Sequence, residues 1–203
     1  MKSFGHHLID HSFDRLKPDY QIRFQRVKVT ELGVHKARAE LSSLRTHRPT
    51  YNTVEILSKV PWYWIGLTHI REAGDSPNFH AWLHNGDPMF NHNRMPVQTV
   101  HVPRHRPPDP NVSWENGAFD ALQQMGLVGI TDWSPERCAW AWEKFNGFGY
   151  RDFHSMPSPY LWGGTSEQLP GKYRDDHVFD SGVMDEQLGT MAVLKLILEE
   201  KVA

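Results

Sequence analysis

The stretch from Pro61 to Gly74, PWYWIGLTHIREAG, constrains this chain more than any other. At helical spacing Trp64, Ile65, Leu67, Thr68 and Ile70 leave no continuous polar side, and a helix apolar nearly all round has to be buried by other elements. Pro61 suits the first turn, where its missing N–H is no loss. The fold should therefore be built around this helix, and 203 residues are enough for one domain with a sizeable core. The same helix ends in an acid, Glu72, followed by Gly74 and Pro77. A carboxyl group at the last turn of the most apolar helix, where the chain opens into polar loop, has to be explained.

The remaining elements follow from periodicity and punctuation. Residues 1–17 are polar, and 19–45 read as a charged helix that Pro49 ends. Thr50 can cap a short helix carrying Val54, Leu57 and Val60 on one side. After Gly74, Phe79, Ala81 and Leu83 alternate with His80, Trp82 and His84, and VQTVHVP alternates again. Residues 79–84 and 97–102 are thus expected to form the short strands of a hairpin, with the Asn-Gly turn signal inside the connecting loop. Ser113 caps a helix over 114–127, Ser134-Pro135 starts one over 135–146 that Gly147 ends, and a last helix covers 184–200. The expected class is α+β, mainly helical, with a small hairpin inserted after the central helix. Residues 1–46 form an N-terminal polar segment and helix packed on a domain spanning 47–203.

Composition excludes several functions. There are 24 acids against 22 bases, a net charge of -2, with no electrostatic footprint for nucleic acid or an anionic membrane. One cysteine, Cys138, rules out an internal disulfide framework and a Cys-rich zinc site, and it is expected to be an inert buried thiol. Nothing approaches the roughly 18 consecutive apolar residues of a membrane span, so no membrane insertion is expected. The start MKSFGHHLIDHSF has no apolar core of signal-peptide length, so synthesis in the cytoplasm without an export signal is expected. The 13 histidines call for a metal check. His80 and His84 share a face, and His69 lies three residues before Glu72, but there is no third ligand and no His-Glu-x-x-His pattern. No metal or cofactor is expected, and His84 and His101 read as polar hairpin residues.

Glu72 has two readings from the residues alone. It can be a solvated helix end, as most acids are. Alternatively it faces a cleft and is partly desolvated, which disfavours the ionised form and keeps a proton available near neutral pH. Glycoside hydrolysis uses such an acid on a poor leaving oxygen, together with a second group that positions water or stabilises an oxocarbenium-like centre.

The segments YNTVEILSKVPWYWIGLTHIREA, NFHAWLHNGDPM, TVHVPRHRP, FNGFGYR, SPYLWGGT and GKYRDD, in this order over about residues 50–180, resemble the phage-endolysin-like lysozyme (muramidase) proteins of the lysozyme superfamily. The combination is specific, although each piece alone is weak. The resemblance implies a lysozyme-like fold and cleavage of peptidoglycan glycan strands between N-acetylmuramic acid and N-acetylglucosamine. Glu72 would be the general acid. The second group would come from the hairpin. Asp87 in HNGDP is either a base that orients water or a turn residue before proline, and Asp75 is a competitor. Thr99 resembles the water-holding threonine of phage-type lysozymes, or is an ordinary strand threonine. The chain departs from the phage-type pattern in that acid and base are further apart in sequence. EKFNGFGYR resembles the segment of lysozyme-like hydrolases and lytic transglycosylases whose helix end faces the cleft, but its first aromatic is Phe145. A hydroxyl contact to the acid is then lost or comes from Tyr150. Asn146 either bonds an N-acetyl group or merely ends its helix. Among Tyr150, Tyr160 and Trp162, one or two are expected against sugar faces.

The implied partner is peptidoglycan, met after release from the cytoplasm, and a monomer is expected. Two other functions stay open: a lytic transglycosylase using the same Glu72, and a non-catalytic wall-binding phage protein.

Overall fold

A computed structural model describes residues 9–74, 79–175 and 178–202. The elements in chain order are α1 (Phe13–Arg26), α2 (Glu31–Ser58), α3 (Trp62–Ala73), α4 (Trp114–Gln124), α5 (Pro135–Asn146), α6 (Gly149–His154), α7 (Pro159–Trp162), β1 (Lys172–Asp175), β2 (Val178–Asp180) and α8 (Thr190–Val202). The described residues are mainly helical with one small two-stranded antiparallel sheet. None of their helices is long and apolar enough to cross a membrane.

Every residue of α3 from Trp64 to Ile70 is buried. Trp64 stacks on Trp142 of α5, with centroids 5.7 Å apart and planes 8° apart. The indole N–H of Trp142 donates to Thr68 Oγ1 at 3.0 Å, and that hydroxyl donates to Trp64 O at 2.9 Å. The polar atom inside the core is thus satisfied, as burial demands. On the other side Gly66 admits α2: a Cβ there would lie 2.4 Å from Leu44 Cδ2. The two helices touch where α3 has no side chain.

The structure corrects three expectations. Pro49 does not end a helix. It lies inside α2, whose 28 residues join the second part of the helix expected over 19–45 to the short helix after Thr50, while the first part belongs to α1 and the helix breaks between them at 27–30. An internal proline costs about 3 kcal/mol. Leu41 and Leu44 before it, and Tyr51 and Val54 after it, are all buried on the core side. At about 1.5–3 kcal/mol per large side chain, one continuous buried face outweighs the proline. The boundary drawn at residue 46 consequently falls within a single helix.

The hairpin is also elsewhere. Residues 79–107 contain only the isolated bridges Ala81↔Pro88 and Phe90↔Pro96. Ala81, Trp82, Leu83 and His84 are buried in succession, so the alternation seen in the sequence does not mark two faces of a strand. The sheet is β1–β2, pairing Lys172 with Asp180 and Tyr173 with Phe179. Finally, the last helix begins at Thr190. Before it Asp185 Oδ1 accepts the Gln187 N–H at 3.2 Å, a turn that competes with helix.

The N-terminal segment is tied to the rest by charge and packing. Tyr20 of α1 donates to the Glu143 carboxylate of α5. Arg151 donates to both oxygens of Glu143 at 3.2 and 2.8 Å and to Asp19 at 3.1 Å. Arg23 and Arg26 grip Glu167 at 2.7 and 2.6 Å.

Candidate active site

Glu72 is in the last turn of α3, and Gly74, at φ +92°, ends the helix with its N–H on Ile70 O at 3.0 Å. Its side chain is half-buried. Tyr160 donates its hydroxyl to Glu72 Oε1 at 2.9 Å. That tyrosine is buried in α7, a single turn capped by Ser158 and opened by Pro159. The local sequence SPYLW therefore builds a capped turn that places the Tyr160 hydroxyl on Glu72.

Burial pushes the Glu72 carboxyl up to about 7, against the opposing effects of the Tyr160 hydrogen bond and the Arg71 charge. Burial, then the negative charge of Glu72, drives the Tyr160 hydroxyl well above its ordinary range, so it remains a donor. A carboxyl group that keeps its proton near neutral pH, with a donor ready to stabilise the anion once the proton leaves, has the properties of a general acid.

The HNGDP loop lies directly against this helix end. Gly86 has φ +75°, and a Cβ on it would sit 2.2 Å from the carbonyl oxygen of Glu72. The loop is closed by Trp82 N–H on Asp87 O at 2.8 Å and Gly86 N–H on Trp82 O at 2.9 Å. Asp87 is 6% exposed, and its carboxylate is saturated. Oδ2 accepts Val100 N–H at 2.8 Å, His101 N–H at 2.9 Å and Asn85 Nδ2 at 3.1 Å, while Oδ1 meets His101 Nδ1 at 2.6 Å. Burial opposes ionisation here, but the His101 side chain and the two backbone amides outweigh it and hold the carboxyl below its usual range. Asp87 thus fastens residues 82–87 to 100–101. Thr99 is buried and similarly engaged: its hydroxyl donates to Pro103 O and accepts Arg106 N–H at 3.0 Å. Asp75 lies outside the described residues.

Asn146 ends α5, with Nδ2 3.5 Å from Ser158 Oγ, beside the turn that carries Tyr160. With Val102, Pro103, Phe145 and Gly147 it lines a groove of about 360 Å³. Of the binding residues expected from the sequence, it is the one placed on an open groove. Tyr150 does not reach the acid. Its hydroxyl accepts Tyr173 N–H at 3.2 Å and fastens α6 to β1. The hydroxyl contact expected of Tyr150 is instead made by Tyr160, whose ring is buried with Arg71 over it and presents no free face to a sugar. Trp162 is 1% exposed and belongs to the core, since the short α7 packs against α5 and α8.

The two histidines singled out as polar or metal candidates near the hairpin and the acid, His84 and His69, are each bonded to a neighbouring side chain. His84 Nε2 meets Asp120 Oδ2 at 2.8 Å, and Asp120 also accepts Arg106 Nε at 2.9 Å. His69 is buried, with Nδ1 3.1 Å from the Tyr51 hydroxyl. Among the described residues no cluster of His, Cys, Asp and Glu could hold a metal ion. Burial pushes the Cys138 thiol up, so no reactive thiolate forms there.

Sequence reasoning missed Arg71, Lys172 and Asp185, which lie behind Tyr160. Arg71 sits over the Tyr160 ring at 4.6 Å. The available signal was the presence of all three in HIREA, GKYRDD and MDEQ, polar residues at the margins of apolar elements. Comparison with protein families, curated proteins and solved structures finds no match for this chain.

Proposed function

We propose that this protein is a glycoside hydrolase of peptidoglycan, a muramidase on a lysozyme-like fold, with Glu72 as its general acid. The observation that carries the reading is the Glu72 carboxyl itself: at the end of the central helix, raised to about 7 and bonded by Tyr160. The resemblance of residues 50–180 to endolysin-like lysozymes supplies the substrate class. In the reaction Glu72 transfers its proton to the oxygen linking N-acetylmuramic acid to N-acetylglucosamine as that bond breaks. The carboxylate left behind is stabilised by the Tyr160 hydroxyl and the nearby Arg71 charge. The groove beside Asn146 and Gly147, walled by Val102, Pro103 and Phe145 with Gln124 and Lys144 also on its lining, suits an acetamido sugar: apolar surface with side-chain amides to bond the N-acetyl group.

Incubation of purified protein with peptidoglycan, followed by mass analysis, tests this. Wild type should release muropeptides. Glu72→Gln, isosteric but unable to donate a proton, should lose about 10²–10⁴-fold in rate. Equal rates for the two proteins would refute the assignment, and binding without release would leave only a wall-binding protein.

One observation favours a second reading. Both hairpin candidates for the water-directing group, Asp87 and Thr99, have their polar atoms taken up by loop contacts. A lytic transglycosylase needs no such group, since the 6-hydroxyl of the substrate replaces water. Reducing ends in the product support the hydrolase, and anhydro-muramic ends the transglycosylase.

A further inference from the structure

Behind the Tyr160–Glu72 pair lies a charged cluster of which only the Arg71 charge has been given a part so far. Arg71 is almost enclosed, its side chain 8% exposed. Its guanidinium covers the Tyr160 ring at 4.6 Å. Its Nη1 donates to Leu188 O at 3.2 Å and its Nη2 to Asp185 Oδ2 at 3.4 Å. Its Nε has no partner among the described residues. Asp185 has a side chain 4% exposed, and it accepts Lys172 Nζ from β1 at 2.9 Å and Gln187 N–H at 3.2 Å on its other oxygen. The Asp185 backbone carbonyl accepts Gln168 Nε2 at 2.7 Å, so the residue is anchored independently of its charge partners.

Arg71 and Glu72 meet the same side chain, Tyr160, one over its ring and the other at its hydroxyl, and the Arg71 charge acts on the Glu72 carboxyl, so a guanidinium free to turn toward that carboxylate would pair with it and hold it ionised. Here its forked donors turn away, onto Asp185 and Leu188. We propose that Asp185 is a positioning residue: by holding the Arg71 guanidinium flat on the Tyr160 ring it keeps Arg71 from pairing with Glu72, and it fixes the ring whose hydroxyl bonds the acid. The proposal rests on the reading of Glu72 as the acid. Asp185 acts through Arg71 and Tyr160 and touches no reacting atom.

The electrostatics agree with this arrangement. Burial works against the Asp185 charge, but Lys172, Arg71 and the Gln187 amide outweigh it and hold the carboxyl below its usual range. It is therefore an anion at neutral pH and offsets the charge of Arg71. Among the described residues, the other titratable or charged groups on the elements around Glu72 have partners of their own. On α3, His69 bonds Tyr51. On α7 there is Tyr160, on α6 Tyr150, and on β1 Lys172. The loop against the Glu72 carbonyl carries His84, paired with Asp120, and Asp87, paired with His101.

The test is a carbon-13 NMR titration of the Glu72 carboxyl in the full chain, with activity measured in parallel. Asp185→Asn removes the counter-charge and releases Arg71, so the Glu72 midpoint should fall by about one pH unit or more, with the alkaline limb of activity moving equally. Tyr160→Phe keeps the ring under Arg71 but deletes the donor, so the midpoint should rise. Lys172→Met removes a cation and leaves Asp185 wholly to Arg71, so the midpoint should also rise, by a few tenths of a unit. A role confined to holding the fold predicts no such opposition of sign. A folded Asp185→Asn protein with an unchanged or raised midpoint overturns the proposal. If that variant does not fold, Lys172→Met decides: a rise supports the proposal and a fall or no change overturns it. The titration needs no turnover, so failure of the glycosidase reading, seen as absence of lysis in wild type, is distinguishable from failure of this one.

Discussion

Gly86→Ala tests whether the HNGDP loop holds the acid in place. The position has φ +75°, and the added Cβ would sit 2.2 Å from the Glu72 carbonyl oxygen. Real Cβ contacts start near 3.0 Å, so loop and helix end must separate by about 3.0 − 2.2 = 0.8 Å. The obstacle is backbone on both sides, and no flexible side chain can yield. Left-handed backbone costs an alanine about 1–2 kcal/mol, and relieving an overpacked contact typically costs about 1–3 kcal/mol. Together these predict a stability loss of about 2–5 kcal/mol by urea denaturation. The same displacement moves the carboxyl of Glu72, and a misplacement near 1 Å can cost about 10²-fold in rate, which a peptidoglycan-clearing assay would read. Gly129→Ala is the control. Its φ is +83°, but nothing lies within 4 Å of the new Cβ, so it should lose only the backbone cost and keep full activity. Should Gly86→Ala prove no less stable than this control and equally active, the loop does not brace the acid.

Three further outcomes are expected. Glu72 is protonated below about 7 in the folded protein and near 4.5 when unfolded, so its contribution to stability is complete below 4.5 and is lost as pH rises through 7. Glu72→Gln should accordingly gain on wild type by on the order of 3 kcal/mol between those limits in pH-dependent denaturation, and wild-type lysis should decline above pH 7. Arg151→Met leaves the Glu143 carboxylate, 1% exposed, without its cation and should cost about 3–5 kcal/mol, measured by chemical denaturation, with part recovered on adding Glu143→Gln. Asp87→Asn can keep one oxygen on the Val100 and His101 amides but replaces the charged acceptor of both and the oxygen facing His101 Nδ1, and should cost about 1–3 kcal/mol. Because the Asp87 carboxyl is held low, the wild-type advantage over this variant exists above the ordinary carboxylate range and disappears as pH falls through the lowered value, which acid unfolding of the two proteins would show.

The central helix was legible from residues alone because its character is local. Trp64 to Ile70 contains no polar face, so any fold of this chain has to enclose it. The start of α4 and both ends of α3 and α5 were legible for the same reason: Pro61, Gly74, Ser113, Pro135 and Gly147 act on the turn they belong to, whereas α4 stops at Gln124, short of the expected 127. Glu72 was legible as an anomaly, an acid where the apolar pattern stops.

What the sequence did not determine depends on partners distant in the chain. Pro49 is a helix breaker by its own chemistry, and only the core packed along Leu41, Leu44, Tyr51 and Val54 makes α2 continuous. The alternation at 79–84 looked like a strand because alternation cannot reveal that both sides of Ala81–His84 are covered. Tyr150 and Tyr160 are equivalent to any local reading, and it is the capped turn at Ser158, 86 residues beyond Glu72, that brings the second to the acid. The same holds for Asp87, a turn residue by neighbourhood that becomes a fastener because two amides from a separate loop converge on it. Periodicity and capping are properties of contiguous residues and can be read along the chain. The pKa of Glu72 and the direction in which Arg71 points depend on burial and on Tyr160, Asp185 and Leu188, 88 to 117 residues away, and those contributions exist only once the chain has folded.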